Sequence, residues 1–246
     1  MVAPAPGALP SVSPRALFAW PSQAAVARHV AKAKIYAHAK PSAALRALFA
    51  RQVESITWAY KLAPETINLP ATPSVPEIEV FELALKLPDI DHGVLRCIDK
   101  AIPFPMVFVL RFEGRSQAVA AYKRPSDAAH HQRGQVSQWV LGDYHAAAWQ
   151  KDDLPRPGLP VALDLQGLYE QLVRQHLAAP SRPGESLRDQ LDRLSLLAAR
   201  QTAAAKLETR LLQEKQFNRK VEINAQLRTI RTELDALASY TQPTLQ

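Results

Sequence analysis

Apolar positions follow two rhythms along this chain, one of about 3.6 residues and one of two, and they divide it into helices and strands. Behind Ser22 an Ala-rich stretch predicts a short helix reaching about Lys34. Ser42, after Pro41, can cap a longer one in which Leu45, Phe49, Ile56 and Tyr60 recur at helical spacing. Residues 77–86, EIEVFELALK, alternate as a strand does. Residues 105–112, PMVFVLRF, lead through Glu113-Gly114-Arg115 into QAVAAYK at 117–123, the pattern of a hairpin. VSQWVL at 136–141 predicts a further strand. Asp89 or Asp91 can open a helix running through Cys97 to Ala101, and 163–177 reads as a helix with Leu165, Leu168, Leu172 and Leu177 on its apolar side.

The last quarter has a pattern of its own. Leu187, Leu191, Leu194 and Ala198 are spaced 4-3-4, and Ile223, Leu227, Ile230, Leu234 and Leu237 are spaced 4-3-4-3, two heptad seams. Between them Leu207, Leu211 and Leu212 fall on another phase, followed by the polar run KQFNRK. Neither Pro nor Gly occurs in the 58 residues from 185 to 242, so the segment is helical. It is either one continuous rod or a hairpin folded back near Gln216–Asn218.

Proline punctuates the rest, with 20 prolines against 8 glycines. The expected organisation is a Pro-rich, disordered lead-in at 1–14, an α+β domain over 15–180 and a helical coiled-coil arm over 185–240. The fold class is therefore α+β: a mixed sheet with flanking helices, followed by a long C-terminal α-helical arm, coiled coil or helical hairpin. Charge sharpens this picture. The formal charge is +7, but residues 1–61 alone carry eight basic and one acidic side chain, whereas 62–180 sum to −3 and 181–246 to +3. One cysteine excludes an intramolecular disulfide, and no apolar run is long enough to span a membrane, so a cytoplasmic protein is the expectation.

Candidate chemistry falls into three groups. Glu77, Glu79, Glu82 and Lys123 lie on consecutive predicted strands, as the carboxylates and lysine of a metal-dependent nuclease with a restriction-endonuclease-like core would. Ala121 stands where such a site expects an acid, and solvent-facing strand charges are the plainer reading. Arg28, Lys32, Lys34, Lys40, Arg46 and Arg51 have almost no compensating acid and could track a phosphate backbone, or form a solvated helix face. Leu187, Leu191, Leu194, Phe217, Asn218, Ile223, Leu227, Ile230 and Leu234 mark the arm as a surface for a partner or a second copy. The histidines show no metal-ligand spacing, Cys97 reads as a buried structural thiol, and no phosphate-binding loop occurs, so no cofactor or metal is expected.

Five strings in order carry a resemblance: WAYKLAPETINLP (58–70), IDKAIPFPMVF (98–108), AAYKRP (120–125), LPVALDLQGLYEQLVR (159–174) and EKQFNRKVEINAQLR (214–228). Together they resemble the bacterial family called domain of unknown function 4391, over about Leu17 to Leu237. Members of that family are encoded beside large helicases and DNA methyltransferases of restriction-like and phage-defence loci. The resemblance implies a non-catalytic accessory subunit whose partner is a helicase, a methyltransferase or both, with DNA contact and dimerisation through the arm as further expectations. It carries over no catalytic residues. Among its strings, Lys123-Arg124 is read as exposed at a strand end.

Overall fold

The computed structural model describes residues 17–126 and 139–238. The lead-in at 1–14, residues 136–138 of the last predicted strand and His130-His131 lie outside them. The chain divides into two compact units, the boundary falling between Leu177 and Ala178.

The first unit is built on a seven-stranded mixed sheet. Six strands lie in chain order across it: β1 (Ala25–His29), β2 (Val53–Leu62), β3 (Ile78–Leu85), β4 (Met106–Phe112), β5 (Arg115–Pro125) and β6 (Trp139–Ala146). A two-residue strand, β7 (Gln150–Lys151), also pairs with β5. Neighbours are antiparallel except β3 and β4, which are parallel. That pair requires a crossover, supplied by a helix at His92–Ala101. The other helices of the unit are α1 (Lys32–Ala39), α2 (Ala43–Gln52), the single turn α3 (Pro64–Ile67) and α5 (Leu165–Arg174), which makes the crossover helix α4.

Burial explains the layering. Phe81 and Leu83 of β3, Phe108 and Leu110 of β4, and Val119 of β5 share a core with Ile35 of α1, Phe49 of α2, and Val94, Leu95 and Ile98 of α4. These helices therefore cover one face of the sheet. On the other face Val80, Val109, Ala118 and Ala147 pack against Leu17, with Trp20 and Tyr60 alongside. The expected hairpin is present: Glu113 and Gly114 both take positive φ (46° and 70°) between β4 and β5, the backbone that a tight primed turn needs. Asp91 caps α4, its carboxylate accepting the Gly93 N–H at 2.7 Å, and Ser42 caps α2 as expected, accepting from Leu45 at 3.3 Å.

Two elements differ from expectation. The helix predicted from Ser22 to Lys34 is instead a 3-10 turn at Ser22–Ala24, the edge strand β1, and only then α1. Its Ala residues are good helix formers, but propensity is a small term and pairing with β2 overrides it. The helix expected to run from Ser42 through Ile56 and Tyr60 stops at Gln52, because Val53–Leu62 carries β-branched and aromatic residues that pair with β1 and β3.

The second unit is a helical hairpin. α6 (Leu187–Gln213) and α7 (Phe217–Ala238) are separated by Glu214–Gln216. The helices run antiparallel: Arg200 pairs with Glu233 at 3.0 Å and Glu208 with Arg231 at 2.9 Å. Ile223 and Leu227 are buried against Ala204, flanked by Leu207, Leu211, Ile230 and Leu234. The α7 heptad seam is thus taken up within the hairpin through Ile223, Leu227, Ile230 and Leu234, and is not a free surface for a partner. Its mate on α6 is the Ala204–Leu211 phase, which the sequence pattern had set apart.

Candidate functional site

The densest polar chemistry of the first unit lies where α4 ends against β5. A register shift in the β5–β6 pairing falls between Ala121 and Lys123. There the Tyr169 hydroxyl donates to the Ala121 carbonyl at 2.6 Å and accepts the Lys123 N–H at 3.0 Å. Pinned in this way, Lys123 turns inward, 3% exposed, which corrects the expectation of an exposed residue at a strand end. Its Nζ donates to the carbonyls of Ile102 (2.6 Å) and Asp99 (2.7 Å) and to Asp99 Oδ1 (3.4 Å). The other Asp99 oxygen accepts from the Tyr144 hydroxyl.

Burial pushes the Asp99 carboxyl up and the Lys123 ammonium down, each toward its neutral form, while each charge pulls the other back. Burial, then the Asp99 charge, also push the Tyr144 phenol up, so it stays a donor. This ion pair floors a cleft of about 510 Å³ lined by Arg96, Lys100, Ile102, Pro103, Trp139 and Leu141. Lys123 Nζ lies 5.8 Å from the Trp139 ring centroid.

The four residues proposed for nuclease chemistry do not share one place. Glu79 is buried and accepts the Trp58 indole N–H. Burial and the adjacent Glu77 push its carboxyl up to about 8. Glu77 itself pairs with Lys61 at 3.0 Å, and Lys61 also holds Glu65 at 2.8 Å. Glu82 lies on the opposite face of β3, paired with Arg111 at 3.3 Å, and Lys123 belongs to Asp99. The structure thus brings Glu77 and Glu79 together and leaves Glu82 and Lys123 apart from them. Among the described residues no group of three or more His, Cys, Asp or Glu side chains is placed to hold a metal ion.

The six basic residues also divide. Lys32 reaches the C-terminal carbonyls of α2, donating to Val53 O at 2.6 Å and Phe49 O at 3.5 Å, so it serves as a cap. The Arg28 guanidinium sits 5.8 Å from the Trp58 ring centroid and that of Arg46 5.4 Å from Tyr36. Lys34, Lys40 and Arg51 are exposed.

In the second unit Ile223 and Leu227 are consumed by the hairpin core, and Ile230 and Leu234 pack beside it. Leu187 is also buried, and Leu191 and Leu194 are half-buried. Asn218 is exposed. Phe217 is 77% exposed, and beside it at the turn lie Leu212, 88% exposed, and Val221, 49% exposed. Sequence reading had named Phe217 but not Leu212, whose off-phase position was the available signal. It had also missed Asp99, Tyr144 and Tyr169, since nothing in a sequence says that three distant polar residues meet.

These observations define a class, an α+β protein with a mixed sheet, a buried ion pair beneath a cleft, and a helical hairpin. The model of the family described as Domain of unknown function (DUF4391) matches residues 18–234, and the chain belongs to that family. Comparison with curated proteins and with solved structures gives no match.

Proposed function

We propose that this chain is an accessory interaction subunit of a restriction-like or anti-phage system, working with a helicase or DNA methyltransferase encoded beside it. Its docking element is the tip of the helical hairpin. The observation that carries this reading is the exposure of Leu212 and Phe217, two large apolar side chains on either side of the Glu214–Gln216 turn. The hairpin core already uses Ala204, Ile223 and Leu227, so the tip residues do not serve its folding. Large apolar side chains grouped at a tip are the material of an interaction site. Along residues 210–220 four basic side chains, Arg210, Lys215, Arg219 and Lys220, flank them against one acid, Glu214, so the tip suits an apolar pocket with an acidic rim.

Co-expression with the neighbouring helicase and methyltransferase, each in turn, tests the reading. The full chain is expected to co-elute with one of them in size-exclusion chromatography, and Phe217→Ser is expected to elute alone. Elution of the wild-type chain apart from both, or only as a self-dimer, would refute the subunit assignment.

A further inference from the structure

The cleft above the Asp99–Lys123 pair has features that docking through the hairpin does not use. Its volume, about 510 Å³, lies in the range of small-molecule sites. Ile102, Pro103, Leu141 and Trp139 supply an apolar lining. The indole of Trp139 lies over the buried Lys123 ammonium, with Nζ 5.8 Å from the ring centroid, and forms one wall of the cleft.

The charge around this wall is unbalanced. Lys123 and Asp99 neutralise each other at the floor, which leaves Arg96 and Lys100 to set the local sign. Arg96 is positioned in advance: it lies 5.7 Å from the Tyr144 ring centroid and donates to the Gly142 carbonyl at 3.1 Å. Its one carboxylate contact among the described residues, Asp143 at 3.3 Å, is with a side chain that is 89% exposed, a pairing that solvent weakens. Lys100 is exposed and has no ion-pair partner among the described residues. A flat apolar lining beside two cations selects a ligand with a planar ring at one end and an anion at the other. Arg and Lys both favour phosphate as that anion, and an aromatic wall favours a base.

We infer that this cleft binds a nucleotide unit, a base seated against Trp139 with its phosphate between Arg96 and Lys100. That unit is either a free mononucleotide or one residue of a single strand, and the two sources share the same recognition chemistry. Lys123 is a positioning residue here, since all its donors are already engaged by Asp99 and Ile102.

Calorimetric titration of the full chain with deoxyadenosine monophosphate, deoxyadenosine and a ten-nucleotide deoxyadenosine strand tests the inference. The monophosphate is expected to bind at least tenfold more tightly than the nucleoside. Lys100→Gln, a change at an exposed side chain, is expected to weaken the monophosphate at least fivefold, and Trp139→Leu to abolish binding. A strand that binds more tightly than the monophosphate, and competes with it, assigns the site to single-stranded nucleic acid. Monophosphate binding that the strand does not displace assigns it to a free nucleotide. Absence of binding by both, or affinities unchanged in Lys100→Gln and Trp139→Leu, would overturn the site.

Discussion

Lys123 faces three oxygens with one nitrogen, and only the ammonium form has three hydrogens to give them. The geometry suits an ion pair with Asp99, each charge holding the other against burial that favours neutrality in both partners. Removing one member of such a pair leaves an uncompensated charge, at a cost of about 3–5 kcal/mol. Asp99→Ala is accordingly expected to lose that much in urea denaturation, whereas Tyr144→Phe, which removes one bond to a charged acceptor, loses about 1.5–3 kcal/mol. Equal losses in the two variants would show that the carboxylate is not a charged partner.

Glu79 is the opposite case, a buried carboxyl held in its protonated form up to about pH 8. Its folded pKa lies above the unfolded value near 4.5, so its contribution is fully present below pH 4.5 and is lost as pH rises toward 8. Glu79→Gln keeps an acceptor for Trp58 and cannot ionise. It is expected to flatten the fall in stability between pH 5 and 8 and to be more stable than wild type at pH 8, as read by urea midpoints. A variant with the wild-type slope would place the titration elsewhere.

At the scale of elements, the apolar strands bounded by turn residues and the helices with a clear apolar side were legible. β3, the β4–β5 hairpin, α4 and α5 all follow from residues whose local preference and tertiary role agree. β1 was hidden because its AVARH sequence contains helix formers placed on a sheet edge. The break at Gln52 was hidden because Ile56 and Tyr60 fall, by coincidence, on the phase of α2. The arm was legible as helix, with a hairpin as one of two readings, and a three-residue turn without Gly or Pro leaves too little trace to choose between them. Leu227→Ala, at a site 2% exposed, is expected to cost about 2–5 kcal/mol and to lower helicity measured by circular dichroism on heating. Phe217→Ala is expected to leave the melting curve unchanged, and a comparable loss there would place Phe217 in the hairpin core.

For the whole molecule, the formal charge of +7 does not form one surface. In the N-terminal quarter Lys32 is spent on a helix end, whereas Arg28 and Arg46, each with a face against an aromatic ring, stay exposed with Lys34, Lys40 and Arg51. The cations that adjoin a cleft, Arg96 and Lys100, come from a region whose net charge is negative, and no count along the chain would single them out. The proposed docking tip follows the same logic, since Leu212 joins Phe217 only once the helices are seen to turn between them. The central claim is that these two side chains carry partner binding. Isothermal titration of the partner into wild type and into Leu212→Ser/Phe217→Ser measures it directly. Two buried anchors of this size predict an affinity loss of about a hundredfold, with the hairpin's helicity intact. An affinity within threefold of wild type would contradict the account.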